Sequence, residues 1–319
     1  METINYINNT YHDDIKQDVQ SGLTASQKFI PSKYFYDARG SALFEKICGL
    51  PEYYPTRTEL SILRDVAPSI MHYSRQGDIV ELGAGSNRKI RTLLDIVPKN
   101  KLSNIRYIPV DVSEAALEAS LEELLKMYPG LKLTAIVADF TRHLEMIPCG
   151  REKLFVFFGS TIGNFNEDEG DVFLKSVAGS MGKGDRFLLG IDMLKPRDIL
   201  EGAYNDSSGI TAEFNKNILN VLNRDLGADF NLEHFHHRAV FNAEKERIEM
   251  YLQANVDVAV EISSLGLTVE LEEGENILTE ICRKFTKDSV DRMAFNAGLN
   301  VTKWFSDPKG WVSLVEMEA

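Results

Sequence analysis

Between residues 60 and 195, five short and continuously apolar runs alternate with stretches whose apolar residues recur at helical spacing. The runs are "DIVEL" (78–82), "IRYIPVDVS" (105–113), "KLTAIVADF" (132–140), "KLFVFFGS" (153–160) and "RFLLGIDML" (186–194). Between them, "RKIRTLLDIV" (88–97) places Ile90, Leu93, Leu94 and Val97 on one helical face. "EAALEASLEELLKMY" follows Ser113, a hydroxyl positioned to cap a helix, and "GDVFLKSVAGSM" (170–181) ends at the turn "GKGD". Strands buried on both faces read as unbroken apolar runs, because helices cover both sides of the sheet. Strand–helix repetition in turn requires right-handed crossovers and a parallel sheet. The chain is therefore expected to be α/β.

After Lys195-Pro196 the pattern changes. Residues 210–227 predict one long helix. "HHRAVFNAEKERIEMYLQANVDVAVEI" predicts a hairpin around "NAEKE", and "LGLTVELEEGENILTEICRKF" a second one turning at "EEGE". The last stretch, from "TKDSVDRMAFNAG" onward, returns to a helix and two strands around "DPKG". An α+β lobe inserted between the fifth strand and the last helix accounts for this order.

Charge narrows the function classes. The 319 residues include 48 acidic and 35 basic ones, a formal net charge of −13, with no basic stripe. That balance argues against nucleic acid, which is bound through clustered Lys and Arg. No apolar run approaches the roughly 20 residues of a membrane span, and the polar, acidic start "METINYINNTYHDD" is not a secretory signal. Cys48, Cys149 and Cys282 are too sparse for a disulfide framework. A cytoplasmic, monomeric protein acting on a small molecule is expected. "HFHH" (234–237) raises the question of a metal, with His234 and His236 on one strand face, but no Cys, Asp or Glu stands at ligand spacing. No metal is expected.

Three strand ends carry groups suited to a nucleoside ligand. "ELGAGSN" (81–87) joins the first strand to a helix, and Gly83 and Gly85 permit a tight turn and close backbone approach. Arg88 stands where a dinucleotide loop would have its third glycine. The loop fits better the acidic-x-G-x-G turn of class I S-adenosylmethionine (SAM) methyltransferases, with their Rossmann-like sheet. Asp111, ending the second strand, can accept from both ribose hydroxyls. Asp139 and Phe140, ending the third, can meet an adenine amino group and ring. Lys89 in the helix's first turn can reach a carboxylate. Taken singly, Asp111 also reads as a helix cap, Asp139 as a turn residue and Lys89 as a solvated side chain. Gly159, Ser160 and Asn164 follow the fourth strand, where open α/β sheets bind ligands.

The strings "YFYDARGSALFEKICGLPEYYPTRTEL", "ELGAGSNRK", "FVFFGSTIGN", "FNKNILNVLNRDLGADF", "ERIEMYLQA" and "LTEICRKF" resemble the histidine Nα-methyltransferases of ergothioneine biosynthesis, from about residue 28 to the C-terminus. The resemblance implies transfer of three methyl groups from SAM to the α-amino nitrogen of L-histidine, giving hercynine. It implies a methyltransferase domain at 58–197 plus 286–319, and an α+β substrate-binding domain at 1–57 plus 198–285. Gly83, Lys89, Asp111, Asp139 and Phe140 match the family's cofactor contacts, and Gly85 and Gly159 are expected to bind the cofactor with them. Tyr53, Asn164, Tyr204, Glu280 and Cys282 match its histidine contacts, while Tyr36, Phe44, Thr211 and Met250 fall on the segments that wall that pocket. Asn164, Tyr204 and Tyr36 would position the substrate; no residue has the signature of a dedicated base. Cys282 replaces a serine of better-known members, and a thiol is the weaker hydrogen-bonding group. A related aromatic amino acid such as tryptophan is the alternative substrate. A nicotinamide oxidoreductase, a protein methyltransferase and a non-catalytic SAM-binding protein are the alternatives in kind.

Overall fold

The computed structural model describes residues 2–7, 11–73, 76–112 and 114–319. Ser113, the expected helix cap, lies outside them. Among the described residues the strands are β1 (Glu2–Asn5), β2 (Gly77–Leu82), β3 (Ile105–Asp111), β4 (Lys132–Val137), β5 (Lys153–Phe157), β6 (Arg186–Asp192), β7 (Phe235–Asn242), β8 (Arg247–Ala254), β9 (Val258–Ile262), β10 (Leu267–Leu271), β11 (Asn276–Arg283), β12 (Asn300–Ser306) and β13 (Val312–Glu318). The α-helices are α1 (Tyr11–Leu23), α2 (Ala38–Ile47), α3 (Tyr54–Tyr73), α4 (Asn87–Leu94), α5 (Glu114–Met127), α6 (Glu167–Ser180), α7 (Arg197–Tyr204), α8 (Ile210–Leu226) and α9 (Lys287–Ala297). The chain divides into a sheet unit, Met1–Ile7, Pro55–Leu194 and Lys284–Ala319, and a second unit, Asn8–Tyr54 and Lys195–Arg283.

The sheet unit is α/β. Its strand order is β1-β4-β3-β2-β5-β6-β13-β12. The first six run parallel; β13 pairs antiparallel with β6 and β12 with β13. Every residue of β2, β5 and β6 is buried, which explains their unbroken apolar runs. Phe155, Phe157, Phe187 and Leu189 form one core cluster with Phe173 of α6 and Val290 and Met293 of α9. The N-terminus corrects the sequence-based grouping of 1–57 with the inserted lobe: Glu2–Asn5 pairs in parallel with Thr134–Val137 on the sheet edge. An edge strand can be polar because only one of its flanks is paired.

Where the chain leaves and re-enters this unit, two segments are joined. Phe285 N–H donates to the Asp192 carbonyl at 3.0 Å, and Leu194 N–H to the Phe285 carbonyl at 2.8 Å. The buried Lys284 ammonium lies 2.9 Å from the Asp192 carboxylate.

The second unit is α+β. Its three-stranded sheet has the order β11-β8-β7, all antiparallel, and β9 and β10 form a separate ribbon. The "NAEKE" hairpin is β7–β8. The hairpin expected at "EEGE" does not form: β10 folds back on β9 through the turn 263–266, with Gly266 left-handed at φ 56°, while β11 pairs with β8. In the ribbon Val260, Ile262, Val269 and Leu271 are the buried alternation, and pairing them with each other satisfies one face. His234 closes a 3₁₀ turn before β7 instead of sharing a strand face with His236, and His236 bonds Asn255. Among the described residues no three His, Cys, Asp or Glu side chains gather as metal ligands.

Candidate active site

In the sheet unit the glycine loop leaves β2 with Gly83 at φ 69°, a conformation that strains any side chain. The Gly83 N–H donates to the Val110 carbonyl at 2.9 Å, tying the loop to β3 just before Asp111. A Cβ on Gly83 would stand 3.5 Å from the Phe140 ring, and one on Gly85 would meet open space. Phe140 packs edge-on against Phe157 at 5.3 Å, so its ring is fixed beside the loop. Gly83, Asp111 and Phe140 are thus gathered at neighbouring strand ends. Asp139 also serves its own turn, accepting from Thr141 N–H at 2.9 Å and Thr141 Oγ1 at 2.6 Å through one oxygen.

Lys89 is not solvated. Its ammonium lies 2.5 Å from the Glu59 carboxylate and 5.6 Å from the Phe158 ring centroid. Gly159, at φ 80°, donates its N–H to both Glu59 oxygens at 2.9 and 3.1 Å. Ser160 follows at φ 57°, unusual for a residue with a side chain, and its hydroxyl accepts from Asp192 N–H at 2.9 Å. The chain then turns through the 3₁₀ segment Thr161–Asn164, leaving Asn164 half-buried at its end.

Glu81, the acidic residue of the loop motif, is buried and accepts from the Tyr107 hydroxyl at 2.6 Å. Burial pushes its carboxyl up to about 7, against the opposing pull of the Tyr107 bond. The folded protein therefore holds this proton to higher pH than the unfolded chain. Its contribution to stability is fully present below about pH 4.5 and is lost as pH rises to about 7. Glu81→Gln, which keeps the acceptor and removes the ionisation, is expected to melt several degrees higher than the wild type at pH 8 and equally at pH 4.5. Melting curves across that range check it; a constant offset would mean that Glu81 does not titrate there.

The second unit holds a chain of aromatic contacts. Tyr36 meets Phe44 edge-on at 5.7 Å, Phe44 meets Tyr53 at 6.2 Å, and Tyr53 meets Tyr204 at 6.2 Å. The Tyr204 hydroxyl donates to the Cys282 sulfur at 2.9 Å, both residues being buried. Burial raises the Tyr53 phenol well above its ordinary value, with Cys48, Cys282, Tyr36 and Glu280 adding to the effect, so the phenol stays protonated. Glu280 lies half-buried on β11, paired across the ladder with Met250 just after a bulge at Leu278/Glu280. Cys282 follows two residues on, on the same extended strand. Thr211 is buried in the first turn of α8, its N–H donating to Asp206 at 2.7 Å.

Sequence reasoning missed four residues here. Glu59 stands within "PTRTEL" without a role of its own, and Glu81 counted only as a motif letter. Phe214 touches Phe35, Tyr36 and Phe44 with centroids at 4.6–6.0 Å; in the sequence it stood only as the first letter of "FNKNILNVLNRDLGADF", with no role of its own. His237 bonds the Tyr204 carbonyl through Nε2 at 2.8 Å, while Nδ1 faces the Asn215 amide at 2.8 Å. Asn215 also donates to the Tyr251 carbonyl and accepts from Thr279, which fixes its orientation. Nδ1 is then the acceptor and Nε2–H the donor, consistent with burial holding this imidazole below its ordinary pKa.

The family described as histidine-specific methyltransferase, SAM-dependent, matches residues 15–319. The chain belongs to this family. A histidine N-alpha-methyltransferase of Mycolicibacterium smegmatis is 43% identical over 296 residues, covering 93% of this chain and 92% of that protein. One of Mycobacterium tuberculosis is 42% identical, covering 94% and 93%. Ergothioneine biosynthesis protein 1 of Schizosaccharomyces pombe is 31% identical over 72% of this chain and 31% of that longer protein. As a member of the histidine-specific methyltransferase family, this enzyme uses SAM as its methyl donor. Among its described residues, no helix is long and apolar enough to cross a membrane.

Proposed function

We propose that this methyltransferase transfers three methyl groups in succession from SAM to the α-amino nitrogen of free L-histidine, giving hercynine. The observation that carries the reading is the family match over residues 15–319, joined to two near-full-length relatives named for that activity. Incubation with SAM and a panel of free amino acids tests it: a gain of three methyls on histidine alone is expected. Methylation of tryptophan in preference to histidine would reject it.

The sheet unit suits the donor. Phe140 offers a fixed ring face for adenine, Asp139 an acceptor for its amino group, and Asp111 acceptors for the ribose hydroxyls. The open space above Gly85 leaves room for the ligand against the backbone. Lys89 keeps N–H donors beyond the one turned to Glu59, since an ammonium has three, and these suit the donor's carboxylate. SAM supplies an electrophilic sulfonium methyl; the protein's task is to bring an amine lone pair to it in line.

The second unit suits the acceptor. Glu280 can accept from an imidazole N–H, a bond that the carbon edge of an indole does not offer. The protonated Tyr53 can donate to the carboxylate, and Tyr204 can do so when its hydroxyl turns from the Cys282 sulfur. Such positioning can supply about 7–11 kcal/mol in well-oriented systems. The faces of Tyr36 and Phe44 stabilise the growing ammonium by about 0.5–2 kcal/mol each. Thr211 and Met250 complete the pocket wall.

Cys282 allows a specific check. Cys282→Ser places a hydroxyl within reach of the Tyr204 phenol, so no buried group is orphaned. Its melting temperature is expected to stay near that of the wild type. Its KM for histidine is expected to fall by a few-fold to tenfold, because a hydroxyl gains about one net bond of 0.5–1.5 kcal/mol to the imidazole. Steady-state kinetics decide; an unchanged KM removes Cys282 from the substrate's contacts.

A further inference from the structure

One buried carboxylate joins two loops of the sheet unit. Glu59 is only 2% exposed, yet its oxygens lie 2.5 Å from the Lys89 ammonium and 2.9 and 3.1 Å from the Gly159 nitrogen. Lys89 belongs to the helix after the glycine loop, and Gly159 opens the loop after β5. The site is built around this carboxylate. Gly190 lies in the middle of β6, where glycine weakens a strand. A Cβ there would come within 1.9 Å of Glu59 Oε1, so only glycine leaves the carboxylate its place.

We infer that Glu59 is a positioning residue for SAM: it holds the Lys89 ammonium in the orientation that receives the carboxylate of the donor's amino-acid end. This rests on the reading of Lys89 given above. A lysine has a long flexible stem, and an ammonium pinned at one N–H presents the other two in fixed directions. The Lys89 charge also acts on the buried Glu81 carboxyl, opposing the rise that burial causes there. Without the Glu59 contact, the flexible Lys89 stem no longer holds its remaining N–H groups in those directions. The same carboxylate fixes the Gly159 N–H, so the two loops are held in register by one group.

The experiment measures binding of SAM and of 5′-methylthioadenosine, which lacks the amino-acid end, by calorimetry. Glu59→Gln keeps an acceptor for Gly159 and removes the ion pair. It is expected to weaken SAM about tenfold and to leave 5′-methylthioadenosine within twofold. Lys89→Met should show the same selectivity. In the double variant Glu59→Gln should add nothing, since the two act as one unit. Should Glu59→Gln not fold, Glu59→Asp, which keeps the charge and withdraws it by one methylene, is expected to show the same selective loss. Equal weakening of both ligands, additive losses, or tighter SAM binding would each overturn the inference. Selective loss in Lys89→Met with none in the Glu59 variants overturns the role of Glu59 alone. Unchanged SAM binding in Lys89→Met overturns the reading of Lys89 itself.

Discussion

Asp111→Ala is expected to weaken SAM binding by about 100- to 1,000-fold while the protein keeps its melting temperature. The carboxylate sits at the end of β3, half-exposed, one residue beyond the carbonyl that fixes the Gly83 loop. In the proposed role it accepts from two ribose hydroxyls, and each charge-assisted bond is worth about 1.5–3 kcal/mol. The change removes no buried apolar surface, so its larger effect is expected on binding. Histidine affinity in the absence of donor should stay within about threefold. Calorimetric titration of SAM, with S-adenosylhomocysteine as a second ligand, measures the effect. Unaltered affinity for both would leave Asp111 as a strand-end residue and nothing more.

Glu280→Gln is expected to lower kcat/KM for histidine by about 10- to 100-fold. The change keeps shape and strand geometry and removes one charge, so the loss is that of a charge-assisted bond to an imidazole N–H. Most of it should appear in KM, because the imidazole lies at the far end of the substrate from the reacting nitrogen and is bound equally in ground and transition states. Activity toward tryptophan, measured beside it, should not fall. Equal losses on both amino acids would place Glu280 outside ring recognition and weaken the case for histidine.

The parallel sheet was legible because its strands are buried on both faces and so carry unbroken apolar runs, most plainly at Phe155–Phe158. β1 was not, because "ETIN" has no strand signature of its own; the open edge of β4 recruits it. The pairing of β11 with β8 was hidden for a related reason. "EEGE" is a sound local turn signal, but which strand a turn leads to is decided by distant partners, here Met250 and Ile248. Among the candidate site residues, the grouping of Gly83, Asp111 and Phe140 was legible because each stands at or just after the end of a successive parallel strand of the sheet. Glu59 could not: a single carboxylate on α3 acquires meaning only when Gly159 and Gly190 are folded against it. His237 was read as one of a histidine cluster, whereas its contacts come from α7 and α8.

The joined segments at Asp192–Leu194 and Lys284–Phe285 make residues 195–283 a cassette. Its two ends are held one backbone bridge apart, about 5 Å, by hydrogen bonds and a buried ion pair that all belong to the sheet unit. The length and content of what lies between them impose little on the sheet. Such an arrangement lets this stretch change in length or content while the strand order of the sheet stays unchanged. In the proposed reading, a change of substrate calls for new side chains on β8, β11 and α8, with no new way of threading the sheet.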